Sequence, residues 1–235
     1  MVASTLVYHP SVAHYLRFVA TTVGRDKLLR TLQYFARFYA WYLYRTNAAA
    51  SQVAPWDAIK KQFGLARKIL RFGKNVEHLK AAAVAADAAP SMDPFLRYAA
   101  IGRQLGYAGY LSFDAATLPD ALGIRRSPRT KTLQREAYRF WAVGIICSIF
   151  AQLYTLNRLR QRQARVDLKE AEGAVESKRI TLERSTSRMQ LLCDLCDLTV
   201  PVSGLNWVAL DDGIVGITGT ISSLVGIYTQ WKKTA

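Results

Sequence analysis

The sequence has 235 residues, of which 51% are hydrophobic, and its 32 Lys and Arg residues outnumber 17 Asp and Glu residues, giving a net charge of +15. A chain of this length and composition can bury a sizeable apolar surface in one or two domains, and its three cysteines exclude a disulfide framework. Positive charge suits nucleic acid or anionic lipid equally, but here it is concentrated in residues 1–139, and two nearly charge-free blocks lie at 140–157 and 198–235. A nucleic-acid-binding protein has no need of such blocks, so we expect a membrane protein that binds anionic lipid and no nucleic acid.

The N-terminal part, residues 1–90, is predicted to form cytosolic or interfacial helices. Pro10 opens a first helix and Gly24 breaks it. The second helix, RDKLLRTLQYFARFYAWYLYR, carries aromatic side chains around nearly its whole circumference, so a single partner face cannot bury them all. It is either a core helix of an all-α bundle or a helix that contacts lipid or another subunit. A short linker at 47–55 then precedes a third helix at 56–84.

The segment 56–79, WDAIKKQFGLARKILRFGKNVEHL, has an apolar face and a cationic face when it is drawn as a helix. The predicted membrane-inserting face consists of Trp56, Ile59, Phe63, Ile69, Leu70 and Val76. The predicted anionic-lipid-binding residues are Lys60, Lys61, Arg67, Lys68, Arg71 and Lys74. Lys and Arg opposite bulky apolar residues are typical of helices that lie in a membrane interface. Packing of the apolar face inside a protein core is the alternative.

A central helix and a basic connector are predicted for residues 91–139. Arg97 and Arg103 make the stretch 95–109 a poor membrane span and a better bundle or interfacial helix. The block 140–157 begins with FWAVGIICSIFAQLYTL, a run of 17 uncharged residues with arginines on both sides. A bilayer core about 30 Å thick requires about 20 apolar residues, with about 17 as the lower limit. This block is therefore the first candidate transmembrane helix, and a buried bundle helix is the alternative.

A charged helical segment at 158–197 leads to a C-terminal membrane segment at 198–235. The latter contains GIVGITGTISSLVGIYTQW at 213–231, 19 residues without a charge, followed by two lysines. Small residues at helical spacing predict close helix–helix packing here, namely Gly219, Ser222, Ser223 and Gly226. Trp231 and the lysines suit an interfacial anchor. The predicted fold is an all-α integral membrane protein with one to two transmembrane helices.

The sequence predicts no catalytic, metal or cofactor site. Cys193 and Cys196 form a single CxxC pair without a second pair, and the three histidines form no cluster by spacing. Asp211 and Asp212 precede the last apolar run, where they would bind a cation, face a polar cavity or mark the membrane boundary. We therefore expect neither an enzyme nor a bound cofactor.

Three stretches resemble the fungal branch of the peroxin-eleven family of peroxisomal membrane proteins. They are GRDKLLRTLQYFARFYAWYL near the N-terminus, the cationic amphipathic segment 56–79, and the closing GLNWVALDDGIVGITGTISSLVGIYTQWKK. The stretches occur in the right order, and the similarity extends over essentially the whole chain. The resemblance implies an all-α protein of the peroxisomal membrane whose termini are usually cytosolic.

The resemblance also implies a function and partners. Members of the family tubulate the peroxisomal membrane before fission, self-associate, and recruit and stimulate a dynamin-related GTPase. The family's membrane-remodelling helix corresponds here to 56–79. A pore or metabolite channel, built from the two apolar segments with Asp211 and Asp212 near its lumen, is the alternative function.

Overall fold

The computed structural model describes residues 9–88, 92–166 and 171–235. Within these ranges the chain forms helices and no strands, which confirms the predicted all-α fold. The helices are α1 (Pro10–Ala20), α2 (Thr22–Arg45), α3 (Ala50–Leu70), α4 (Asn75–Asp87), α5 (Pro94–Ala116), α6 (Leu118–Ala121), α7 (Thr130–Ala164), α8 (Ala171–Gly204) and α9 (Asp212–Lys233).

Short polar side chains set the starts of several helices because they accept from backbone N–H groups that have no partner in the first turn. Thr21 Oγ1 accepts from the N–H of Gly24 at 2.9 Å at the start of α2. Asp93 accepts from two N–H groups at the start of α5, where Pro94 occupies the first helical position. Asp211 accepts from the N–H three residues further on at the start of α9, at 2.9 Å.

Two predicted boundaries near the N-terminus are wrong. The break between the first two helices lies at Thr21, whose backbone is extended, and Gly24 belongs to the first turn of α2. The predicted linker at 47–55 is shorter, because α3 already begins at Ala50 and includes Pro55. Pro55 is the sixth residue of α3, so the helix loses the hydrogen bond that its N–H would donate to the carbonyl of Ser51.

Seven of the helices form a ring around a polar interior. Neighbours around the ring follow the order α3, α2, α9, α8, α7, α5 and α4, and the turn at 71–74 joins α4 back to α3. An apolar core fills part of the space between them. Its buried members include Tyr34 of α2, Tyr110 of α5, Trp141 of α7 and Val215 of α9.

Glycines allow two antiparallel helix pairs within the ring to approach closely. On α9, a Cβ at Gly216 would lie 2.6 Å from the backbone nitrogen of Phe38, so the two backbones almost touch. On α5, a Cβ at Gly106 would lie 2.5 Å from the Cα of Gly144 on α7. Any side chain larger than hydrogen would force these helices apart.

The outer surface of α7 is apolar. Among the described residues, α7 is the one helix that is long and apolar enough to cross a membrane. Its exposed side chains recur along one side and are Phe140, Val143, Ile146, Phe150 and Leu153. The opposite side turns polar atoms inward, and Ser148 Oγ donates to Asp194 of α8 at 2.6 Å. Such an arrangement suits a helix whose outer side meets lipid.

A similar stripe follows α9. Its exposed apolar side chains are Ile214, Ile217, Ile221, Leu224 and Tyr228. The inward side carries the buried residues Gly216, Gly219 and Ser223. Whether α9 also crosses the membrane stays a prediction.

Candidate functional site

The segment 56–79, predicted as one amphipathic helix, consists of residues 56–70 of α3, a turn at 71–74 and the start of α4. Gly73 has a φ of +78°, a left-handed conformation that glycine adopts without strain and that cannot continue an α-helix. The prediction of a continuous helix across 56–79 is therefore wrong. We call residues 69–79 the α3–α4 corner.

The predicted membrane-inserting side chains fall in different environments. Trp56 packs against Tyr39 of α2 with 4.7 Å between ring centroids, and Leu70 lines an internal cavity. Ile59 and Phe63 are half-buried. Ile69 and Val76 are exposed, as are Phe72 and Leu79. The structure thus concentrates exposed apolar surface at the α3–α4 corner and not along the whole segment.

Most of the predicted lipid-binding cations point into the protein. Arg67 is only 7% exposed, and its Nε donates to Asp26 of α2 at 3.0 Å. Lys68 lies 3.1 Å from the carboxylate of Asp114 on α5. Arg71 donates to the hydroxyl of Tyr110 at 2.7 Å and also pairs with Asp114.

Arg67, Lys68 and Arg71 cannot contact lipid headgroups without breaking their ion pairs, so the predicted outward orientation of these cations is wrong. Lys60 pairs with Asp57 at 2.8 Å and lies 3.5 Å from Asp212. Lys74 lines the internal cavity, and Lys61 is exposed. Of the six predicted cations, Lys61 is the one that is fully on the exposed surface, and Lys60 is partly exposed outside the cavity.

The inward cations line a cavity of 720 Å³ between α2, α3, α5, α7 and α8. Its charged lining consists of Lys27, Arg30, Arg67, Lys68, Arg71, Lys74, Arg103 and Lys233 against Asp26, Asp114 and Asp197. Tyrosines complete much of the wall, including Tyr34, Tyr107 and Tyr110. The cavity therefore carries a strong excess of positive charge, which can stabilise an anion.

Burial and charge shift the pKa values of groups at this cavity in directions that follow from their neighbours. Burial alone would raise the pKa of Asp26, but the charges of Arg67 and Arg71 hold it below its usual value. Burial lowers the pKa of Lys27 to about 8, and repulsion from Arg30 adds to this effect. Lys27 is thus a half-buried cation whose protonation is disfavoured by its surroundings.

Arg30 links three helices across the interior. Its guanidinium donates to both carboxylate oxygens of Asp197 on α8 and to Ser222 Oγ on α9, the latter at 3.0 Å. Another arginine of α2, Arg37, donates to Asp212 at 2.6 Å. Because a buried carboxylate requires a paired cation, these contacts fix α2 against α8 and α9.

The four small residues predicted for helix packing all belong to α9. Three of them contact α2 of the same chain, and the fourth, Ser223, bonds within α9. A Cβ at Gly219 would lie 2.3 Å from the ring of Tyr34, and one at Gly226 would meet the side chain of Lys27. Ser222 accepts from Arg30, and Ser223 is fully buried and donates to the carbonyl of Gly219.

The acidic pair before α9 has a structural role. Asp211 caps the helix, and Asp212 pairs with Arg37 and Lys60. Neither lines the cavity. In the described part of the chain, no group of three or more His, Cys, Asp or Glu side chains is placed to hold a metal ion.

Two features escaped the sequence reasoning. The first is the close contact of α5 with α7 at Gly102, Gly106 and Gly109, which the GRQLG spacing at 102–106 signals. The second is the internal cavity. Charge and periodicity alone do not show that the cations of α2, α3 and α5 converge, because that depends on how the helices are arranged.

Comparison with known proteins identifies the family. The family described as Peroxisomal biogenesis factor 11 (PEX11) matches residues 12–231. Peroxisomal membrane protein PMP27 of Saccharomyces cerevisiae is 30% identical over 247 residues, covering 100% of both chains. Peroxisomal membrane protein PMP30A of Candida boidinii is 27% identical over 255 residues, covering 100% of this chain and 99% of its own.

More distant relatives match over nearly the same length. Peroxisomal membrane protein 11B of Homo sapiens is 22% identical over 249 residues, which covers 92% of this chain and 95% of its own. No solved structure matches the chain. The apolar outer side of α7, the family match over 12–231 and the relatives together lead to one conclusion. The chain belongs to the Peroxisomal biogenesis factor 11 family and is a protein of the peroxisomal membrane with a role in peroxisome biogenesis.

Proposed function

We propose that this protein elongates the peroxisomal membrane ahead of fission by inserting the α3–α4 corner into one leaflet. The observation that carries this proposal is the orientation of side chains at the corner. Phe72 and Val76 are 70% and 63% exposed, whereas Arg67 and Arg71 beside them turn inward to carboxylates. Glu77 is an exposed charge of the corner, but the other large exposed side chains are apolar and the arginines turn inward, which suits lipid on the outer surface.

The energy available from this insertion is sufficient for membrane binding. Ile69, Phe72, Val76 and Leu79 would each contribute up to about 1.5 to 3 kcal/mol on full burial in the acyl region. Exposed lysines such as Lys61 and Lys80 would add about 1 kcal/mol each near an anionic surface. Material inserted into one leaflet expands that leaflet relative to the other, which favours positive curvature.

Repetition of this insertion along an assembly of copies would convert local curvature into a tubule. We propose that anionic lipids and other copies of the chain are the immediate partners, and that a dynamin-related GTPase acts on the resulting tubule. In this proposal both chain termini are cytosolic, and the protein works without catalysis.

Reconstitution of the full chain into liposomes tests the proposal. The triple variant Ile69→Ser/Phe72→Ser/Val76→Ser should remain in the carbonate-resistant membrane pellet but lose tubulation as seen by electron microscopy. The control Val175→Ser/Leu182→Ser alters apolar side chains on α8 that are about as exposed as Phe72 and more exposed than Ile69 and Val76, and it should tubulate normally. Tubulation by the triple variant at the native level would overturn the proposed role of the corner.

A pore is the second candidate, and the basic cavity next to α7 is the observation that favours it. Asp211 and Asp212 do not line that cavity, so the charge that would select ions is the positive charge of the interior. A pore of this kind would conduct anions, and Arg103→Gln would reduce its anion selectivity in planar bilayers. An electrically silent protein would eliminate this candidate.

A further inference from the structure

We infer that the internal basic cavity is a binding site for a phosphate-bearing anion. The inference is independent of membrane shaping, because it concerns an interior site and equilibrium binding. It rests on charge balance, on four lining cations without carboxylate partners, and on the place of two of them, Lys27 and Arg103, in the fold.

The carboxylates of the cavity wall are already engaged by other cations. Asp26 pairs with Arg67, Asp197 pairs with Arg30, and Asp114 pairs with both Lys68 and Arg71. Lys27, Lys74, Arg103 and Lys233 also line the cavity, and no carboxylate in the described part of the chain lies within ion-pair distance of them. These remaining charges are free to act together on one anion.

Lys27 and Arg103 are the two cations on which the inference chiefly depends, and packing against α9 holds Lys27 in place. Its aliphatic stem packs over Gly226 of α9, so that a Cβ there would meet its Cδ at 2.8 Å. The absence of a side chain at Gly226 therefore makes room for Lys27. Lys27 is half-buried, so its ammonium group has a desolvation cost that no paired carboxylate offsets, and an anion in the cavity would reduce that cost.

Arg103 enters the same cavity from α5. Its Nε is buried and has no hydrogen-bond partner among the described residues, and its guanidinium carbon lies 5.7 Å from the centroid of the Tyr107 ring. The stacking holds the guanidinium plane in place without using its N–H donors. An unpartnered buried donor in a cavity wall indicates a ligand acceptor.

The place of Arg103 in the fold strengthens this interpretation. Its backbone carbonyl lies beside Gly144, within the apolar run of α7, since a Cβ at Gly144 would lie 3.1 Å from it. A charged residue level with a candidate membrane span is costly and marks a functional interior. Arg103 meets this description because it turns away from the apolar outer surface and towards the cavity.

Phosphate is the anion that fits this set of groups. A guanidinium donates two parallel hydrogen bonds to phosphate oxygens, and lysines add point charges around a dianion. The volume of 720 Å³ admits a phosphate with a small organic group attached. The same chemistry is present in a soluble phosphate compound and in the phosphomonoester headgroup of phosphatidic acid, and binding experiments can distinguish these sources.

The test uses the purified full chain in detergent and in nanodiscs. Isothermal titration calorimetry with pyrophosphate tests binding of a soluble phosphate compound. Nanodiscs of phosphatidylcholine with and without phosphatidic acid test binding of the lipid, and mass spectrometry after detergent exchange measures the phosphatidic acid that stays bound. We expect one source to bind saturably to the native chain. The variant Lys27→Met/Arg103→Gln should weaken that binding at least tenfold.

A charge-matched control is Arg125→Gln/Lys178→Met, which removes two exposed cations outside the cavity and should bind as the native chain does. Because Lys27→Met relieves a buried charge, that single variant should fold and provides a second, independent loss of affinity. Equal binding by the native chain and the cavity variants, or no saturable binding of either probe by the native chain, would overturn the inference.

Discussion

Two antiparallel helix pairs hold the ring together by different means. In the α2–α9 pair, Gly219 meets the ring of Tyr34, and Arg30 reaches across to Ser222 and on to Asp197 of α8. In the α5–α7 pair, Gly106 meets Gly144 backbone to backbone. Glycines bring the helices of both pairs close together, and the first pair is held in addition by a charged network in the interior.

The α5–α7 pair shows that the hydropathy of a single helix does not determine which of its faces points outward. By composition α7 is a candidate span, whereas α5 carries Arg97 and Arg103 and is not. The two helices nevertheless lie side by side over many turns. Packing decides which face of α5 points outward, because Arg103 turns into the cavity and leaves the other side of the helix for the outer surface.

Removal of Arg30 should have the largest effect on stability. The variant Arg30→Met leaves Asp197 buried without its cation, which should lower the free energy of unfolding by about 3 to 5 kcal/mol. Thermal unfolding of the purified chain in detergent measures this loss. The double variant Arg30→Met/Asp197→Leu removes the uncompensated charge and should recover much of it, and a single variant as stable as the native chain would contradict the ranking of the two pairs.

The glycine contact of α5 with α7 should be the next most sensitive. Gly106→Ala would place a methyl group 2.5 Å from backbone atoms that cannot rotate away, so we expect a loss of about 1 to 3 kcal/mol or more. Gly102→Ala on the same helix meets only the Cys147 Sγ, at 2.8 Å, which can change rotamer. Its cost should stay below about 1 kcal/mol. Similar unfolding midpoints for the two variants would show that the helices separate freely.

The smallest effect concerns Lys27 and depends on pH. Its pKa in the folded chain is about 8, below the ordinary value of 10.5, so the unfolded chain binds more protons between these values. The contribution of Lys27 to stability therefore rises with pH across that window and is most unfavourable below pH 8. Lys27→Met should unfold at a higher temperature than the native chain at pH 7, by a few °C, for an effect on the order of 1 kcal/mol. The gap should narrow by pH 10, and a gap independent of pH would contradict this account.

Much of the fold could be predicted from local sequence patterns. The uncharged run after Arg139 and the apolar segment after Asp212 lie on α7 and α9, because length and composition determine such helices with little help from tertiary contacts. The break at Gly73 could not be predicted in this way, because apolar side chains continue at helical spacing on both sides of the glycine.

The candidate site could not be predicted in the same way. Periodicity identifies two faces of 56–79, but it does not say which face points inward. That choice depends on Asp26, Asp114 and Tyr110, which lie on other helices and accept from Arg67, Lys68 and Arg71. Acceptors distant in sequence reverse an orientation that the segment alone would adopt at a lipid surface.

The docking of α1 against the end of α9 limits how the chain can thread through a bilayer. The ring of His14 lies 3.8 Å from that of Trp231, and Arg17 donates to the carbonyl of Thr234 at 2.9 Å. Groups in contact at the ends of their helices share one face of a membrane about 30 Å thick in its core. If this contact lies outside the bilayer core, the number of crossings between His14 and Trp231 is even. If α7 crosses once, at least one further crossing then returns the chain to the same side. A labelling experiment tests this, because an even number of crossings leaves both ends accessible from the same side of the membrane.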